Sequence, residues 1–115
     1  MLNKAPRLDA TFQALADPAR RAILERLCKG PASVSELKRP FAISLPAVMQ
    51  HLSVLEASGL VRSEKVGRVR TCRIEPKALV AADAWIKARR SEWHELLDRL
   101  AGYLDELQTP GDDNG

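Results

Sequence analysis

The chain has 115 residues, 45% of them hydrophobic but only 4% aromatic, and a formal charge of +3. Such a length is expected to form one domain with no separate catalytic module. No apolar run reaches the ~20 residues of a membrane span, and the N-terminal M-L-N-K-A-P-R-L-D lacks a signal-peptide core, so no membrane partner and a cytoplasmic location are expected. The charge is unevenly spread: residues 18–73 hold eleven Lys or Arg against four Glu, a local +7, whereas residues 74–115 hold five against nine acidic residues, −4. A basic middle and an acidic end imply one face for a polyanion and another for a different partner.

In chain order, Leu8, Phe12 and Leu15 mark one face of a first short helix. Asp17-Pro18 reads as an N-cap followed by a first helical residue, where the missing amide proton of Pro costs nothing. The helix that follows keeps Ala22, Ile23 and Leu27 inward and ends at Gly30-Pro31. Ser33 and Glu36 have the spacing of a capping box, predicting a third helix that stops near Pro40. Ser44 caps a fourth, with Pro46 tolerated in its first turn and Val48, Leu52 and Leu55 as its buried seam. Gly59 supplies a left-handed turn at its end. Residues 60–66 and 69–74 are β-capable runs around Gly67-Arg68, a two-residue hairpin rich in Arg and Lys that suits an exposed edge ribbon. Pro76 opens a last helix predicted to reach Gln108, and T-P-G-D-D-N-G reads as a disordered acidic tail over residues 109–115. The fold class is therefore mainly α with a small β-hairpin: a winged helix-turn-helix over residues 1–108, homodimeric through its terminal helices.

A capped helix, a turn, a second helix with polar residues on its leading turn and then a basic hairpin is an arrangement that fills a DNA major groove and holds flanking phosphates. With the seam inward, Leu45, Pro46, Met49, Gln50 and Ser53 face outward. The Gln50 amide suits bidentate pairing with adenine, and Leu45 and Met49 suit thymine methyls. The Ser44 hydroxyl and the amides of that first turn suit a phosphate. In the wing, Lys65, Arg68 and Arg70 flank the tip, Arg68 being placed for a minor groove or a phosphate. Lys38, with Arg20, Arg21 and Arg39, is a weaker phosphate candidate; Arg26 and Lys29 read as solvated. His51, next to the buried seam, reads as a hydrogen-bonded structural residue.

The last helix carries a different signal. Leu79, Ala82, Ile86, Arg89, Trp93, Leu96, Leu100, Tyr103 and Leu107 step alternately by three and four, and Trp85, Leu97 and Leu104 widen that seam to a second face. The other helices are too short to cover it, so an isologous dimer through Leu8, Phe12, Trp85, Ile86, Trp93, Leu96, Leu100, Tyr103, Leu104 and Leu107 is expected. Two-fold symmetry then predicts an inverted-repeat operator. Nothing reads as catalytic: Glu92, His94, Glu95 and Asp98 fit a solvated helix face. Cys28 and Cys72 lack zinc or disulfide spacing and read as buried structural thiols. No metal or cofactor is expected.

A-L-A-D-P-A-R-R-A-I-L-E-R-L, then S-V-S-E-L, L-P-A-V-M-Q-H-L-S-V-L-E-A-S-G-L-V and the V-G-R-V-R wing, resembles the ArsR family of bacterial winged-helix repressors over about residues 8–107. The resemblance implies a homodimer that represses its own operon through double-stranded DNA, paired through the first and last helices. Metal-sensing relatives often carry Cys-x-Cys on the third helix, where this chain has Ser35-Glu36-Leu37-Lys38. Trp85, Trp93 and Leu97 interrupt any ligand set on the last helix, and W-x7-W is similar to the branch with no evident metal site. The resemblance names no effector. Met49 stands where the family usually has Ser or Thr, so its base preference is expected to differ.

Overall fold

The computed structural model describes residues 6–108; the acidic tail expected over 109–115 lies outside them. The elements run α1 (Pro6–Leu15), α2 (Pro18–Leu27), β1 (Ala32–Ser33), α3 (Val34–Lys38), α4 (Leu45–Ala57), β2 (Val61–Val66), β3 (Val69–Ile74) and α5 (Pro76–Gln108). They gather into two compact units that divide between Ala82 and Asp83, within α5.

In the first unit, α2, α3 and α4 each begin at a side chain that accepts from free amides of the first turn. The Asp17 carboxylate accepts from Ala19 N at 2.8 Å and Arg20 N at 3.2 Å, with Pro18 at the first helical position. Ser33 and Glu36 form the expected reciprocal box at 3.2 and 2.8 Å. Ser44 Oγ accepts from Ala47 N at 3.3 Å. Val48, Leu52 and Leu55 are fully enclosed, and with Ile23, Leu24, Leu27, Leu37 and Leu60 they make the core. Leu24 takes the inward place expected of Ala22, which is half-buried. On α1 the enclosed residues are Thr11 and Ala14, while Leu8 and Phe12 are half-buried. Small side chains at those two positions let the helix approach α2 and α4 closely.

The sheet has three strands, ordered β1-β3-β2 and antiparallel throughout. β1 pairs Ala32 with Cys72 and Ser33 with Thr71, which makes β3 the central strand. The expected two-stranded edge ribbon thus gains a third strand, too short at two residues to display a period. Val66 pairs with Val69 across the two-residue loop, where Gly67 has φ +64°. At +83°, Gly59 turns the chain out of α4. Cys72 is enclosed and its thiol is pushed above the usual range by burial. The expectation of two buried thiols fails at Cys28, which sits just past the last turn of α2 and is exposed.

The second unit is the remainder of α5. Here Trp85 and Trp93 meet edge to face, their ring centroids 6.4 Å apart, and the Arg89 guanidinium lies 5.2 Å from the Trp85 ring while pairing with Glu92 at 3.1 Å. Between Trp85 at 38% and Leu107 at 64% exposure, Ile86, Trp93, Leu96, Leu97, Leu100, Tyr103 and Leu104 all present apolar surface to solvent on the single chain. No helix among the described residues is long and apolar enough to cross a membrane.

Candidate nucleic-acid interface

With the seam of α4 enclosed, periodicity leaves Leu45, Pro46, Gln50 and Ser53 on the outward face, and all four are exposed, as is the cap Ser44. Met49 departs from the outward position expected of it. It is half-buried and packs against the core, because it shares a turn with Val48 and Leu52.

A side-chain bond ties the wing to this helix: Ser63 Oγ donates to Glu56 Oε2 on the last turn of α4 at 2.8 Å, while Glu75 N donates to Leu60 O at 2.8 Å and closes the base of the hairpin. Strand alternation then decides which cations face α4. Val61, Ser63 and Lys65 share one face of the hairpin with Ile74, Cys72 and Arg70, their register partners, and Cys72 and Val61 on that face enter the core. Lys65 and Arg70 therefore stand directly opposite each other. Together with Arg68 they rim a groove whose floor is Val34, Leu45, Met49 and Val69.

The charges around the hairpin are unequal in their compensation. Arg62 and Arg73 also face each other in register, but Arg62 pairs with Glu75 at 3.3 Å and Arg73 with Glu64 at 3.4 Å. Lys65, Arg68 and Arg70 make no ion pair among the described residues. Like charges directly opposed on one sheet face are unfavourable unless an anion lies between them. The tip is thus an anion-seeking surface and the base is neutralised.

The three basic residues of α2 are committed. Arg20 Nε donates to Ala14 O at 2.7 Å and its Nη2 to Gln13 O at 3.1 Å, while Arg21 Nη1 donates to Leu15 O at 2.8 Å. These two close the end of α1, a structural role in addition to the weaker phosphate role expected of them. Arg26, expected to be merely solvated, donates to Gly30 O at 3.0 Å. Lys38 is half-buried and Arg39 exposed, with no ion pair among the described residues. His51 has the hydrogen-bonded role expected of it: its Nδ1 lies 3.5 Å from Arg20 Nη1. The roles of Arg20 and Ser63 were not legible in the sequence, since neither the 31-residue separation of one pair nor the choice of acceptor for the other leaves a local pattern.

Comparison with known proteins decides the family. A helix-turn-helix domain family matches residues 15–64. The HTH-type transcriptional regulator Rv2034 of Mycobacterium tuberculosis is 41% identical over 106 residues, 91% of this chain and 92% of its own. The crystal structure of an ArsR family transcriptional regulator, RHA00566, superposes with a TM-score of 0.73 at 51% identity, over 76% of this chain and 97% of that one. The chain belongs to the ArsR family. Transcriptional repressor SdpR of Bacillus subtilis is a more distant relative, 30% identical over 61 residues, 53% of this chain and 68% of its own. As an ArsR-family helix-turn-helix protein the chain is a DNA-binding transcriptional regulator, and α3, α4 and the β2–β3 hairpin are its helix pair and wing.

Proposed function

We propose that this regulator is a dimeric repressor that inserts α4 into the major groove of an inverted-repeat operator. One observation carries the reading: an outward, capped helix face stands beside a cation pair, Lys65 and Arg70, that makes no ion pair among the described residues. Gln50 reads an adenine edge, and Leu45 meets a thymine methyl. Lys65, Arg68, Arg70 and, more weakly, Lys38 hold phosphates, with Arg68 at the tip nearest the minor groove. Ser44 already accepts from Ala47 N, and its hydroxyl proton remains to donate to a phosphate. Met49 contributes at the groove floor rather than at a base edge.

Dimerisation draws its support from the apolar side chains on α5, from Trp85 to Leu107, that a single chain leaves in water. Leu8 and Phe12 of α1, half-buried in one chain, are the further residues assigned to the dimer contact. Two-fold pairing presents two copies of α4 to one side of a duplex and so requires an operator with two inverted half-sites. Repression is the activity named for the relative SdpR.

Selection of duplexes from a random pool against the full chain tests this directly. The expected product is a symmetric sequence whose affinity falls steeply as salt rises, because phosphate contacts release counterions. A recovered site without symmetry, or binding indifferent to salt, overturns the reading.

A further inference from the structure

Arg20 is placed where three segments meet. Its Nε and Nη2 donate to Ala14 O and Gln13 O, carbonyls of the last turn of α1. Its Nη1 lies 4.0 Å from Asp17 Oδ2 and 3.5 Å from Nδ1 of His51, which is on α4 between Gln50 and Leu52. A guanidinium is only a donor, so this last contact exists only while Nδ1 keeps its lone pair, that is, while the ring is neutral with its proton on Nε2.

We propose that Arg20 is a positioning residue that seats the recognition helix through His51, and that operator affinity is lost when the His51 imidazole takes up a second proton. The inference rests on the DNA-binding reading above. Protonation removes the acceptor and sets two cations 3.5 Å apart. Arg20 is held from behind by two carbonyls, so the displacement falls on α4. Because Gln50 adjoins His51, movement of the ring moves the base-reading side chain. The charged groups facing the ring are Arg20 from α2 and Asp17 from the α1–α2 junction. Among the described residues, no carboxylate of α1, α3 or the sheet pairs with it. Asp17 Oδ1 accepts from the amides of Ala19 and Arg20 and its Oδ2 lies 4.0 Å from Arg20 Nη1, so its charge tempers the repulsion between the two cations but does not restore the acceptor lost at Nδ1.

The sign is diagnostic. A histidine that touched phosphate directly would strengthen binding in acid, whereas this one weakens it, since the DNA-bound form requires the neutral ring and binding expels the proton. Imidazoles as a class change charge between about pH 5 and 8, the interval over which a binding assay reads this sign.

The test uses the full chain and a duplex recovered by random-pool selection at neutral pH. Binding is measured at constant salt across that pH interval for the wild type, His51→Asn and His94→Asn. Asparagine offers an amide oxygen near the place of Nδ1 and cannot titrate. The expected result is a wild-type affinity that falls on the acid side by up to about tenfold per pH unit for each His51, about a hundredfold for the two rings of a dimer, a flat profile for His51→Asn at wild-type affinity, and a wild-type profile for His94→Asn. A proton NMR titration of the His51 ring, free and with the duplex, gives a second readout that needs no variant: its midpoint moves down on binding. The proposal is overturned by a folded His51→Asn that keeps the wild-type slope or binds weakly at every pH. It is equally overturned by wild-type affinity that is flat or rises in acid, or by a midpoint that stays or rises. Where His51→Asn does not fold, the NMR titration decides alone. Recovery of no duplex at all is a different failure, that of the DNA-binding reading itself.

Discussion

At the proposed interface, single side chains divide into those assigned to distinguish bases and those assigned to hold the backbone, and the two kinds are expected to fail differently. Gln50 is exposed on the outward face of α4, so Gln50→Ala is expected to relax base preference at one operator position at a cost of about 1–3 kcal/mol. Competition binding against a panel of single-base operator variants measures it. Arg68, in the wing turn, has no base edge assigned to it, and Arg68→Ala is expected to weaken every duplex nearly equally. A loss confined to one sequence contradicts that assignment. Residue-level chemistry also governs acid stability. The Asp17 carboxyl is held below the usual carboxylate range by the Arg20 amide and then the Ala19 amide, and Glu36 by the Ser33 amide and hydroxyl. Lowered folded-state values mean that both contribute stability above the ordinary range, near pH 4, and lose it as pH falls through the lowered values. Thermal melts in acid are therefore expected to show a shallower pH dependence for Asp17→Asn and Glu36→Gln than for the wild type, each variant being less stable at neutral pH.

At the scale of elements, the relation between wing and recognition helix depends on very few bonds. Ser63 on β2 reaches Glu56 on the last turn of α4, and this side-chain bond ties the strand that carries Lys65 to the helix whose Leu45 lines the same groove as Lys65 and Arg70. Ser63→Ala leaves the core untouched and a half-buried carboxylate without its donor, a change expected to cost about 1–3 kcal/mol of stability. Its signature is weakened DNA affinity with an unchanged order of base preference, which the same competition panel detects. The capped starts of α2, α3 and α4 and the enclosed seam of α4 follow from short-range spacing, and for that reason they were readable before the structure. β1 was not, because two residues paired with the far side of a hairpin carry no period of their own.

For the whole molecule, the exposed apolar side chains of α5 are the feature that a single chain does not account for. Leu100 is 48% exposed there and lies on the three-and-four seam. Leu100→Glu places a charge within the proposed contact and is expected to yield a monomer with sharply reduced operator affinity. Sedimentation of that variant as a dimer shows the seam to be wrongly assigned.

Spacing along the chain was enough to establish the helix boundaries, the outward face of the recognition helix, the hairpin and the long final seam, since each is a local or periodic property of backbone geometry and burial. Three-dimensional packing alone determined the partners of the charges. It turned Arg20 and Arg21 inward to the carbonyls ending α1, drew Met49 onto the core, brought a third strand to the sheet, left Cys28 in solvent and neutralised Arg62 and Arg73 while sparing Lys65 and Arg70. Which acceptor a cation meets depends on residues distant in sequence, and no periodicity encodes that distance.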